Sequence, residues 1–230
     1  MNPIQDNLDT IKARIAKTAT ACNRDPKSIQ LIGVSKRKSA QTVLQGIQAG
    51  ADHLGENYIQ EAVQKIDEIG KSKACWHFIG HLQSNKAKFA VPYFDYIHTV
   101  HSEKLAKAIN KQAEKIGKIQ NILLQVNIGD EESKSGANLQ DGVDLAKAFM
   151  KFPHLRLCGL MCMPPFSADP EEARPYFKKL AALRQDIINA GIDPENMEHL
   201  SMGMSNDFAV AIEEGATLVR VGTAIFGSRD

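Results

Sequence analysis

Short apolar runs alternate with amphipathic stretches along the chain. The runs cover residues 31–35, 53–57, 76–80, 96–100, 122–127, 158–163, 198–202 and 218–222. Each is too short for a helix, all but 96–100 contain Gly, Asn or Ser, and the fifth and eighth are rich in β-branched residues. Hydrophobicity that is continuous over a few residues marks strands buried on both faces, as in a parallel sheet. Between the runs, apolar residues recur at helical spacing. Ile59, Val63, Ile66 and Ile69 form one stripe, Leu105, Ile109, Ala113 and Ile116 a second, and Tyr176, Leu180, Leu183 and Ile187 a third. Gly50, Gly70, Gly117, Gly191 and Gly215 stand where such helices should stop. Ile4, Leu8, Ile11 and Ile15 predict an extra helix at the N-terminus.

Eight strands alternating with helices predict an α/β protein, a single (β/α)8 TIM-type barrel with an extra N-terminal helix, as one domain over residues 1–230. A doubly wound open sheet is the alternative. The connection over residues 84–93 is short for a helix.

Charge narrows the class of partner. Lys and Arg total 28 against 27 for Asp and Glu, a net of +1, so nothing electrostatic calls for nucleic acid or an anionic membrane. Cys22, Cys75, Cys158 and Cys162 contain no CxxC pair and read as free thiols of a reducing compartment. Residues 1–21 carry charges throughout and lack the apolar core of a signal peptide or membrane span, so a cytoplasmic location is expected.

In a (β/α)8 barrel, reactive groups gather at the C-terminal ends of the strands. The polar residues there are Ser35 and Lys36, Glu56 and Asn57, His81 and Gln83, His101 and Ser102, Asn127 with the loop 130–134, Ser201, and Gly222 with Thr223. Arg220 lies within the last strand. Lys36 follows the apolar run Leu31-Ile32-Gly33-Val34 after the single residue Ser35, a position that aims its amine over the barrel mouth, where a neutral lysine is a Schiff-base nucleophile. A solvated lysine opening a loop, with Arg37 and Lys38 next, is the plainer reading. The seventh and eighth strands end in Leu200-Ser201-Met202-Gly203-Met204-Ser205 and Val221-Gly222-Thr223-Ala224. Each sets a hydroxyl beside a glycine, as phosphate cradles do. Ser205 is expected to cap a helix starting near Asn206. A lysine facing such a cradle fits a class I aldolase acting on a sugar phosphate, or pyridoxal 5′-phosphate (PLP). Spacing does not separate the two.

The motifs do. Val34-Ser35-Lys36, Gly55-Glu56-Asn57-Tyr58, Trp76-His77-Phe78-Ile79-Gly80-His81-Leu82-Gln83-Ser84-Asn85-Lys86, Ser133-Lys134-Ser135-Gly136, Gly159-Leu160-Met161, the Ser201 segment and Val219-Arg220-Val221-Gly222-Thr223-Ala224-Ile225-Phe226-Gly227 follow one another from first strand to last. In this the chain resembles the pyridoxal phosphate homeostasis protein family, similar in turn to the alanine racemase N-terminal domain and other fold-type III PLP barrels. Arg37-Lys38-Ser39 departs from the Thr-Lys-Pro associated with many members. The resemblance implies a PLP aldimine at Lys36 and phosphate contacts at Ser201, Gly222 and Thr223, with Met202 and Gly203 lining that side. It also places Arg220 at the pyridine nitrogen and Asn57 near the ring. It assigns no catalytic residue, and leaves open whether Glu56 or His81 touches the cofactor.

An arginine donates to the pyridine nitrogen but cannot accept from it, which weakens the electron sink PLP enzymes rely on. The chain also ends at Asp230, just after strand eight, without the second domain of related enzymes. A carrier or regulator of intracellular PLP and amino-acid homeostasis is therefore expected, with PLP-dependent apo-enzymes as acceptors and a monomer favoured over a dimer. An amino-acid racemase is the alternative. Lys134 is a further lysine placed to receive the aldehyde, although a solvated loop residue is the plainer reading. His77 and His81 share i,i+4 spacing, but no HExxH or acidic cluster accompanies them, so no metal site is expected. Cys158 and Cys162, four apart on a strand, are expected on one face.

Overall fold

All eight predicted strands form, and they close on themselves. The computed structural model describes residues 3–129 and 135–227. The strands are β1 Gln30–Val34, β2 His53–Glu56, β3 Cys75–Phe78, β4 Tyr96–Val100, β5 Gln120–Asn127, β6 Leu155–Cys162, β7 His199–Ser201 and β8 Leu218–Val221. Each pairs in parallel with its sequence neighbours, and β8 returns to β1 through Ile32 opposite Arg220 and Gly33 opposite Val221. The sheet is thus a closed barrel, not the open alternative. A two-residue strand, Ala137–Asn138, adds to the end of β5 outside the barrel count.

The helices are α1 Pro3–Ala21, α2 Ala40–Gln48, α3 Ile59–Ile69, α4 Ala87–Ala90, α5 Glu103–Lys115, α6 Gly142–Phe149, α7 Arg174–Asn189, α8 Phe208–Glu213 and α9 Thr223–Phe226. The short third connection holds a 3-10 turn and the single turn α4. The five stop glycines all have positive φ at or just past helix ends. The extra helix α1 buries Ile4, Leu8, Ile11, Ile15 and Ala19, and packs on α8 and α9. No helix among the described residues is long and apolar enough to cross a membrane.

The core has two layers of unequal size. The outer layer, between barrel and helices, holds Trp76, Phe78, Phe94, Phe149, Phe177 and Phe208, all fully buried. The inner layer is small: Ile32, Leu123, Cys158, Met161 and Leu218, with Tyr96 against them. Cys158 belongs to this inner layer and Cys162 to the outer one, so the two thiols do not share a face. The cause is a bulge. Between Leu157 and Leu160, β6 uses one more residue than β5 does between Ile122 and Leu124, and Gly159 takes φ +143° there. One inserted residue inverts the alternation beyond it.

Candidate functional site

Lys36 leaves the barrel between two anchored neighbours. On one side, the Ser35 carbonyl accepts from Lys65 Nζ at 2.9 Å. On the other, Arg37 turns into the left-handed region (φ +61°) and donates its N–H to Glu61 Oε1 at 2.5 Å. Lys65 Nζ also meets Glu56 Oε1 at 2.7 Å and Glu61 Oε1 at 3.0 Å, and the Ser35 hydroxyl donates to Glu56 Oε1 at 2.6 Å. Two residues of α3 thus hold both flanks of Lys36. Glu56 is fully buried, and burial pushes its carboxyl up from the ordinary range against the opposing pull of Lys65. Its carboxylate serves this anchor, which bears on the question of cofactor contact left open by the sequence. Lys65 went unrecognised there, because it reads as a helix-face lysine. The Glu61–Lys65 i,i+4 spacing one strand from Lys36 was the only signal.

The other expected residues fall on neighbouring strands. Barrel closure puts β8 on one side of β1 and β2 on the other. Gly222 follows β8 so closely against β1 that a Cβ there would lie 3.3 Å from the Val34 carbonyl oxygen. Thr223 is the first residue of α9, exposed at the same end as Lys36. The first amides of a helix have no partner within it. On the β2 side, Asn57 follows Glu56, and its backbone is held by Gly80, where a Cβ would sit 2.1 Å from the Asn57 oxygen. Asn57 Oδ1 is buried and has no hydrogen-bond partner among the described residues. A buried amide oxygen in that state is costly unless a ligand completes it.

Arg220 forms the floor. It is buried, and donates from one guanidinium nitrogen to Ser201 Oγ at 2.6 Å and from the other to the Cys162 carbonyl at 2.9 Å. Burial lowers its pKa, but a guanidinium keeps its proton at any physiological pH. Ser201 is fully buried and also bonds His98 Nδ1 at 2.9 Å. Met202 lies in the outer core, so it has only its backbone to offer a ligand. Gly203 adopts φ +89° with its Cα against α8, where a Cβ would meet Ala211 Cβ at 2.6 Å. Ser205 does not cap the next helix. That helix starts later, at Phe208, and Asp207 Oδ1 closes the loop by accepting from Met204 N at 2.6 Å.

Across the mouth lies a cavity of about 420 Å³ lined by residues including His81, Thr99, Gln125, Asn127, Phe166 and Met204. Gln125 Oε1 there is buried without a partner among the described residues. His81 bonds the Ser135 hydroxyl at 3.0 Å and stacks on His101, well apart from the role of His77. His77 is an interior residue bonded to two other histidines, His53 and His98. Lys134 and the rest of the loop 130–134 lie outside the described residues.

Taken together, the residues suit a phosphorylated pyridine aldehyde. A lysine stands between two anchored neighbours at the mouth, a short helix starts beside it, a buried arginine lies within the barrel, and an orphaned amide oxygen stands at the side.

Comparison with known proteins agrees. The alanine racemase N-terminal domain model matches residues 7–230. A pyridoxal phosphate homeostasis protein of Escherichia coli K12 is 42% identical, covering 100% of this chain and 98% of that one. That of Vibrio alginolyticus is 41% identical, with 100% and 99% covered. The structure of PipY from Synechococcus elongatus with PLP bound matches with a TM-score of 0.80 at 34% identity, covering 93% of this chain and 100% of that one. The chain belongs to the pyridoxal phosphate homeostasis protein family, built on the alanine racemase N-terminal-domain barrel.

Proposed function

We propose that this protein binds PLP at Lys36 and holds it for intracellular PLP and amino-acid homeostasis, as carrier or regulator. The observation that carries the reading is the arc β8–β1–β2, which gathers Gly222 and Thr223, Lys36, and Asn57 around one strand end. The bound form of PipY and the names of the relatives support it. In this reading the lysine holds the aldehyde as a Schiff base. Ser201, Gly222 and Thr223 would hold the phosphate, Met202 and Gly203 would shape that side through backbone, Arg220 would donate to the pyridine nitrogen, and Asn57 would lie near the ring. Residues 1–230 act as one cytoplasmic PLP-binding domain, a monomer, that passes PLP to apo-enzymes.

Bound PLP supplies an electrophilic aldehyde and a conjugated ring. The protein would contribute an amine at Lys36 and, from Arg220, a permanent cation facing the pyridine nitrogen, which disfavours protonation of the pyridine. Mixing purified protein with PLP should give absorbance near the visible edge. Borohydride should then fix the label on the peptide carrying Lys36, and Lys36→Ala should show neither. A label elsewhere with Lys36 intact refutes the assignment. Incubation with single L-amino acids in deuterium oxide tests the carrier role: protein-dependent exchange at Cα would make the protein an enzyme such as a racemase.

A further inference from the structure

Five side chains form one hydrogen-bonded line through the barrel. His53 Nδ1 meets His77 Nε2 at 3.0 Å, His77 Nδ1 meets His98 Nε2 at 2.9 Å, and His98 Nδ1 meets Ser201 Oγ at 2.9 Å. Arg220 then donates to the same Oγ at 2.6 Å. His98 is on β4 and Ser201 on β7, which are not neighbours, so their bond crosses the lumen. His77, His98 and Ser201 are fully buried. The outer end, His53, is half-buried and lines a cleft of about 430 Å³ at the barrel base, with Lys12 and Asp52.

The chemistry of imidazole limits how protons can occupy this line. Burial holds His77 and His98 well below the ordinary histidine range, so both rings are neutral, with one N–H and one lone pair each. Each of the three bonds needs one proton. If a single ring points the wrong way, one junction faces two lone pairs and another two N–H groups. Only two arrangements satisfy every bond. In the first, all protons point to the base: Ser201 donates to His98, His98 to His77, and His77 to His53. In the second, all point to the mouth: His53 donates to His77, His77 to His98, and His98 to Ser201. The Ser201 oxygen then accepts from both His98 and Arg220, and its own hydrogen is free to donate in the remaining direction.

We propose that His77 and His98 are positioning residues for the Ser201 hydroxyl, and that a phosphate accepting its hydrogen sets the whole line to the mouth-directed arrangement. This rests on the reading that places the PLP phosphate at Ser201. The interconversion conserves protons. One enters the Ser201 hydroxyl from water at the mouth, one crosses each of the three bonds toward the base, and one leaves His53 Nε2 to water. Occupancy at the mouth is thereby reported at the opposite face, where His53 Nε2 changes from donor to acceptor.

Long-range proton–nitrogen correlation spectra of ¹⁵N-labelled protein read which nitrogen of each histidine carries its proton. We expect His77 and His98 protonated at Nε2 in ligand-free protein and at Nδ1 with PLP bound. Pyridoxal, which lacks the phosphate, should give the visible-edge absorbance without the switch. Ser201→Ala should bind PLP about tenfold more weakly, the loss of one hydrogen bond to a charged group, with pyridoxal unaffected. In that variant the tautomers should not respond to ligand. Unchanged tautomers in wild-type protein whose absorbance shows PLP bound would overturn the relay. Missing absorbance would instead overturn the Lys36 reading, and saturating inorganic phosphate would then decide the relay by the same spectra.

Discussion

Lys65→Met tests what holds Lys36 in place. The substitution keeps the length of the side chain and removes the ammonium that bridges Glu56, Glu61 and the Ser35 carbonyl at 2.7, 3.0 and 2.9 Å. Glu56 is 0% and Lys65 4% exposed, so the carboxylate left behind is a buried charge with one remaining donor among the described residues, the Ser35 hydroxyl. Breaking a buried pair in this way costs about 3–5 kcal/mol. The Glu61 contact, with that carboxylate 30% exposed, adds about 0–1 kcal/mol after solvent screening. For a chain of this size, about 2–4 °C of Tm is lost per kcal/mol, so a drop of roughly 6–24 °C is expected.

The same variant has a pH signature. Glu56 already titrates above its ordinary value in the folded protein, and without Lys65 it should rise further. Between the unfolded and folded values, the folded state binds the extra proton, so stability falls as pH rises through that window. The variant should therefore lose less at pH 5 than at pH 8. Adding Glu56→Gln removes the stranded charge and should restore about 2 kcal/mol or more. Urea unfolding at constant m measures all four members of the cycle. A single-variant loss below about 1 kcal/mol, or strict additivity with Glu56→Gln, would show that the ammonium does not hold this corner together.

Acid should destabilise the fold through the histidine line. His77 and His98 titrate well below the unfolded value of about 6.5, so below that pH the unfolded chain takes up protons the native state refuses. Stability should then fall by about 2.7 kcal/mol per pH unit from these two alone, and His77→Gln should remove about 1.4 of it; a flat profile between pH 7 and 5 contradicts neutral burial. Gly203→Ala must place a Cβ at φ +89° and 2.6 Å from Ala211 Cβ. The left-handed backbone and the overpacking together should cost about 2–5 kcal/mol in urea unfolding, and a loss under 0.5 kcal/mol, the usual range for a surface change, would mean the loop moves freely.

How far the sequence carries depends on how local the cause is. Continuous apolar runs mark buried strands because both faces of each strand are covered, so the eight strands and the position of Lys36 just past the first were legible, whereas the strand ends were not: the sixth begins at Leu155, three residues before the expected run. The bulge at Gly159 was not, since a glycine within a strand looks the same whether or not it inserts a residue, and the inner–outer assignment of Cys158 and Cys162 failed with it. Lys65 was missed for a related reason. Periodicity places it on a helix face, but only the approach of α3 to the end of β1 makes that face an interior. The histidines are the extreme case. His53, His77 and His98 lie 24 and 21 residues apart, and His98 to Ser201 spans 103, so no window of sequence contains the line. It exists only because the barrel closes, bringing β4 and β7 to face each other across the lumen. A small apolar inner layer is the condition for it, since the interior positions that carry the line are unavailable for packing. In this barrel, then, the mouth residues stand on a polar interior whose members the motifs include in part, as His77, Ser201 and Arg220, but whose connection through His53 and His98 no motif announces. Substitutions at His77 or His98, far from the lysine in sequence, should disturb the site from below.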